Sequence, residues 1–86
     1  MTHYHVIPAD YAEYACNVQG LRHGSDGCVY LWPTLDLAED WREEMETSRP
    51  SVILTVDLPG PTDTDPYAGS ARVYWGDIPA SCLSRL

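Results

Sequence analysis

Ser51-Val52-Ile53-Leu54-Thr55-Val56-Asp57-Leu58 is the stretch that decides the fold. It is β-branched and almost continuously apolar, the pattern of a strand covered on both faces. It therefore predicts the middle strand of a sheet, and the other elements arrange themselves around it. Near the start of the chain, His3-Tyr4-His5-Val6-Ile7 alternates in side-chain character. Read as a strand, it puts Tyr4 and Val6 on one face and His3, His5 and Ile7 on the other. Pro8 suits a first-turn helical position, and Ala9, Ala12 and Cys16, with Tyr11, Ala15 and Val18, recur at helical spacing. The expected helix runs to about Gln19, with Gly20 as its left-handed cap and Leu21 folding back on the last turn in the Schellman manner.

Arg22 to Gly27 is turn-forming in composition, and Cys28-Val29-Tyr30-Leu31-Trp32 reads as a second strand. Pro33-Thr34 supplies a break and an N-cap. Beyond it Leu35, Ala38, Trp41 and Met45 form an apolar stripe, while Glu39, Asp40, Glu43, Glu44 and Glu46 face away, an amphipathic helix expected to end near Ser48. After the central strand, Pro59 to Ser70 lacks any period and is longer than a usual connection, so it is expected to be a loop. Ala71-Arg72-Val73-Tyr74-Trp75 is a further strand, and Gly76-Asp77-Ile78-Pro79 turns the chain into a terminal segment closed by Leu83 and Leu86. Two helices among several strands make an α+β class with a small mixed, mostly antiparallel sheet. The 86 residues form a single domain, 1–86, because chains divide only well above about 200 residues. A domain of this size has stability on the order of 5 kcal/mol, so loss of an expected core residue such as Trp41 threatens the whole fold.

Bulk composition narrows the function classes. The 44% hydrophobic content is that of a globular chain, not a disordered one. Net charge is -8, with no Lys and only five Arg, so the basic patches that neutralise nucleic-acid phosphates are missing and direct DNA or RNA binding is not expected. The same acidity suits a basic partner surface. Met1 to Ile7 is no leader-like apolar stretch, and nowhere do about 18 apolar residues run together, so a cytoplasmic protein without membrane spans is expected. Cys16, Cys28 and Cys82 contain no C-x-x-C pair and read as reduced core residues. His3 and His5 alternate on one strand, but no spacing brings His23 or a carboxylate to them, so no metal site is expected. The chain has no Gly-rich phosphate loop and no nucleophile elbow, which removes support for kinase and hydrolase chemistry.

The order strand, helix, "QGLRHGSDG", "VYLW", helix, "SVILTVDLP", loop, "ARVYWGDIPASCL" resembles the ADP-ribosyltransferase-like superfamily. The likeness is nearest to its small branch around the RNA 2′-phosphotransferases and the DNA-modifying toxins. It lies in the Tyr4-His5 pair of the first strand, the Gly20-Leu21 cap and the Val29-Tyr30-Leu31 run, and it covers most of the chain. The resemblance implies NAD as cofactor, with His5 beside Tyr4 contacting the adenine-side ribose and Tyr30 stacking on nicotinamide. The phosphotransferase branch relies on several basic residues, for which the resemblance leaves only Arg22 and Arg72 as plausible counterparts. Where many members carry a late glutamate, this chain has Ala71 to Trp75, with Asp77 the nearest acid.

Two functions follow as expectations. One is a non-catalytic or weakly active member acting through protein interaction, such as a phage-type or accessory inhibitor. There Glu39, Glu43 and Glu46 would meet a basic partner. The other is a minimal NAD-dependent ADP-ribosyltransferase or an NAD- or ADP-ribose-binding protein. For each candidate the ordinary reading stands beside the functional one. A strand His can cap a backbone group, aromatic strand residues such as Tyr30 and Trp32 fill cores, and helix carboxylates form a solvated face.

Overall fold

The computed structural model of the chain describes residues 2–45, 50–58, 60–65 and 70–86. Glu46, the expected helix end near Ser48, and part of the expected loop between Pro59 and Ser70 lie outside the described residues. The class is α+β, with two helices and two small antiparallel sheets. Strands β1 (Thr2–Pro8) and β3 (Ser51–Asp57) pair over their full length, from Thr2 against Asp57 to Pro8 against Ser51. Strand β6 (Leu83–Arg85) takes the other edge of β3, with Val56 opposite Leu83. The apolar run thus occupies the centre of its sheet, as its composition predicts.

Both faces of that sheet are covered, which is why β3 has no polar alternation. Tyr4, Val6 and Ile53 pack with Ala38, Trp32 and Leu35 beneath helix α2 (Leu35–Met45). On the opposite face Ile7, Val52, Leu54 and Val56 join Ala12, Ala15, Leu21, Leu31, Ile78 and Leu83 in the main core. His3 and His5 share that second face, since they pair with Val56 and Leu54. The alternation read in the first strand is therefore the one observed.

The second sheet has the order β2 (Cys28–Leu31), β5 (Arg72–Trp75), β4 (Asp63–Thr64). Among the described residues it joins the first through one bridge, in which Tyr4 and Trp32 exchange backbone hydrogen bonds of 2.9 and 2.8 Å. Every strand pairing among the described residues is antiparallel. Part of the expected loop is thus the short strand β4, and Arg72 stitches it down. Its guanidinium donates to Thr62 Oγ1 at 3.0 Å, to Thr64 Oγ1 at 2.9 Å and to the Thr62 carbonyl at 2.9 Å.

Helix α2 begins as its sequence predicts, with the Leu37 N–H donating to Thr34 Oγ1 at 3.3 Å. Trp41 differs from expectation. It is 40% exposed and leans on Trp32 with ring centroids 5.6 Å apart, so it roofs the small core instead of filling it. Cys16, Cys28 and Cys82 carry free thiols. No helix among the described residues is long and apolar enough to cross a membrane.

The exit of the first helix departs most from the sequence reading. Helix α1 (Ala9–Tyr14) widens into a π-helical turn over Ala15–Gln19, closed by the Gly20 N–H on the Ala15 carbonyl at 2.8 Å. Gly20 has φ 73° and ψ -161°, an extended conformation open essentially to glycine alone, in place of the left-handed Schellman cap. The cause is Leu21. It leaves the helix directly into a two-way backbone pairing with Ile78, each hydrogen bond 2.8 Å, and its side chain enters the core. The two backbones approach so closely that a Cβ on Gly20 would stand 2.2 Å from the Ile78 carbonyl oxygen.

Candidate functional site

Pro8 ends β1 and, with φ -55° and ψ 137°, turns the chain straight into α1 without a loop. The helix is held against the sheet by the Ala9 N–H on the Pro50 carbonyl at 3.0 Å. A cleft of about 360 Å³ opens between strand end and helix. Its walls are His5, Ile7 and Pro8 from β1, Tyr11, Tyr14 and Ala15 from the helical segment, and Gln19 to Arg22 from the helix exit. This volume falls at the small end of the range for small-molecule sites.

His5 is half-buried, and its Nδ1 lies 2.8 Å from the Tyr30 backbone carbonyl. Burial pushes the imidazole pKa down, against a smaller upward pull from that hydrogen bond. A carbonyl oxygen has only lone pairs to offer, so Nδ1 carries the proton and the neutral ring keeps Nε2 as an acceptor. Tyr30 therefore does meet His5, but through its backbone. Its ring lies on the outer face of the second sheet, where the phenol donates to the Asp26 carboxylate. That bond, with the nearby Cys28 thiol, holds the phenol pKa well above its ordinary value and draws the Asp26 carboxyl below its own.

Of the other residues expected at a cofactor site, Arg22 lines the same cleft as His5. Tyr4 packs on the opposite face of the sheet, under α2. Arg72 holds β4 to β5 in the second sheet. The structure thus joins His5 and Arg22, and adds Tyr11, Tyr14 and Gln19, which sequence reasoning assigned to a helix without a role. Tyr11 and Tyr14 are 56% and 52% exposed, so two aromatic rings border the cleft with accessible surface.

Next to Arg22 lies a pair that the sequence did not link. The Leu21–Ile78 pairing sets Asp77 alongside His23, and one carboxylate oxygen, Asp77 Oδ1, accepts both the His23 backbone N–H at 2.9 Å and ring Nδ1 at 2.6 Å. The backbone bond first, then the ring, lowers the Asp77 pKa, with a smaller contribution from the Arg22 charge. No local signal in either segment announces this pairing, because it depends on a backbone bridge between distant parts of the chain. Among the described residues no group of three or more His, Cys, Asp and Glu side chains is placed to hold a metal ion.

Glu39 and Glu43, expected to face a partner, are exposed on α2 together with Asp36, Asp40 and Glu44. A smaller cleft of about 180 Å³ at the helix margin is lined by Glu39, Arg42, Val52, Ile53, Arg85 and Leu86. Glu39 therefore stands beside cations, whereas Glu43 belongs to the purely acidic side.

No protein-family model, curated protein or solved structure matches the chain.

Proposed function

We propose that the chain is a small, non-catalytic or weakly active ADP-ribosyltransferase-like binding domain. In this reading its His5–Arg22 cleft takes the phosphorylated ribose portion of NAD or ADP-ribose. The observation that carries the proposal is the convergence of His5 and Arg22, from separate elements, on one cleft bordered by two tyrosines. A neutral imidazole with a free Nε2 accepts a hydrogen bond from a ribose hydroxyl. The guanidinium pairs with phosphate in a planar, bidentate manner, and an accessible phenol ring offers a surface for a flat base. The modest volume suits one nucleotide moiety rather than a whole dinucleotide held end to end. Weak or absent turnover is favoured because no carboxylate lines the cleft among the described residues, whereas transferases of this superfamily use a late glutamate on the nicotinamide-side ribose.

The test is calorimetric titration of ADP-ribose and NAD into wild-type protein and the Arg22→Ala variant. Arg22 is exposed, so its removal leaves the core intact. Loss of a charge-assisted phosphate contact of about 1.5–3 kcal/mol weakens binding by roughly 10- to 150-fold. Equal affinity of the two proteins for ADP-ribose would remove the cleft from the account.

A second reading, an inhibitor that captures a basic protein through α2, is favoured by one observation. Asp36, Asp40 and Glu44, and likewise Glu39 and Glu43, repeat at four-residue spacing on its exposed side, where like charges repel and destabilise the helix. Charge reversal at Glu43 together with Asp40 separates the readings. It abolishes capture of a basic partner in the second and leaves ADP-ribose affinity unchanged in the first.

A further inference from the structure

The register of the second sheet sets Cys28 opposite Trp75 and Tyr30 opposite Val73. These four side chains therefore share the face turned away from the main core, to which Val29 and Leu31 of the same strand belong. Cys28 and Val73 are buried at the floor of this face, while Tyr30 is 44% and Trp75 59% exposed. Diagonal positions across an antiparallel pair lie about 7–8 Å apart, so the two rings flank the buried floor within reach of one guest side chain.

Each ring is fixed by a carboxylate at its polar edge. The Tyr30 hydroxyl donates to Asp26, and the Trp75 indole N–H donates to Asp63 Oδ2 at 2.7 Å. Trp75 also lies over Gly27, where an added Cβ would stand 3.9 Å from the ring. The only donor of each ring is thus spent inside the protein. What remains exposed is the π-faces, whose quadrupole is negative, with two carboxylates beside them. The rings and both carboxylates contribute potential of one sign, and the nearby Arg72 guanidinium is taken up by Thr62 and Thr64, on a chain of net charge -8 without a lysine.

We propose that this face of the second sheet docks an arginine side chain of a basic protein partner, the guanidinium lying on the Tyr30 and Trp75 rings and against Asp26 and Asp63. A guanidinium fits because it stacks on aromatic faces and pairs with carboxylates in one plane, whereas an ammonium is a compact, strongly hydrated point charge. The surface is separate from the His5–Arg22 cleft and does not depend on it.

The experiment is a titration of acetylated tetra-arginine amide into the isotopically labelled protein at low ionic strength, followed by amide and indole resonances. Expected are saturable shifts concentrated on Asp26 to Tyr30, Val73 to Gly76 and the Trp75 indole N–H. The matching tetra-lysine peptide binds several-fold more weakly. Trp75→Ala weakens the arginine peptide by about 2- to 5-fold, from the usual strength of an exposed cation–π contact, and Glu43→Gln on the helix has no comparable effect. Shifts centred on α2, equal affinity for the two peptides, or no saturable shift would each overturn the proposal. The wild-type resonance map decides the matter even if the tryptophan variant does not fold.

Discussion

Replacing Gly20 by Ala tests the connection between the helix exit and the cleft. The new methyl would stand 2.2 Å from the Ile78 carbonyl oxygen, 2.9 Å from the Ala80 nitrogen and 3.0 Å from the Pro79 carbonyl carbon, all of them backbone atoms that no rotamer change can remove. An L-residue in this region of φ and ψ costs about 1–3 kcal/mol. Relief of the clash requires separating Leu21 from Ile78, which sacrifices two hydrogen bonds worth about 0.5–1.5 kcal/mol each. The sum is about 4 kcal/mol, against a total stability of roughly 4–13 kcal/mol for a chain of this size. The midpoint of thermal unfolding, followed by circular dichroism, should fall by about 15–30 °C, since each kcal/mol moves a domain this small by about 4–8 °C. Gly76→Ala is the control. Gly76 also has a positive φ, 98°, but no atom lies within 4 Å of its added Cβ, so only backbone strain of about 1–2 kcal/mol applies. If the two variants lose the same stability, the close approach is absorbed elsewhere and the argument from Gly20 fails.

Three smaller predictions address other elements. Thr34→Ala removes the cap on Leu37 and should cost about 1 kcal/mol in urea unfolding, with an unchanged slope; no change would mean the helix start is held by packing alone. The Asp77 carboxyl has a folded pKa below its unfolded value of about 3.9, so its pairing with His23 stabilises the protein above that pH and the contribution disappears as pH falls through the folded value. The stability gap between wild type and Asp77→Asn should accordingly be constant near pH 5 and close as pH drops below about 4; a gap that persists at pH 2 contradicts the assignment. Glu43→Lys converts a repulsive pair with Glu39 into an attractive one at four-residue spacing and should stabilise the protein by about 0.5–1 kcal/mol at low salt, with the gain shrinking in 1 M NaCl; a salt-independent gain would point to packing.

The sequence was most legible where one local rule decided the outcome. Continuous apolarity located β3 at the centre of its sheet, alternation sorted the faces of β1, and Thr34 announced the start of α2. Gly20 stands out in the sequence as a helix end, but its conformation is demanded by Ile78, far along the chain. The same long-range bridge creates the His23–Asp77 pair, which no spacing within either segment could reveal. Trp41 reads as a core residue because its stripe is apolar, yet its ring is 40% exposed and leans on Trp32. For the site, His5 and Arg22 were nameable from the resemblance, while Tyr11 and Tyr14 were hidden in a helical pattern that gives no sign of which face borders a cleft. The resemblance gives the Tyr30 ring to nicotinamide, whereas in the structure it is the Tyr30 carbonyl that meets His5.

The most direct test of the central claim is thermal unfolding of the wild-type chain and of Arg22→Ala with millimolar NAD, ADP-ribose or nicotinamide. A ligand at about 100 times its dissociation constant adds roughly 2.7 kcal/mol, or about 10–20 °C in midpoint for a domain of this size. The account predicts a rise with NAD and ADP-ribose, little with nicotinamide, which has neither phosphate nor ribose, and a rise cut to about half or less in Arg22→Ala. No rise with any of the three, or a rise that Arg22→Ala leaves intact, would contradict it.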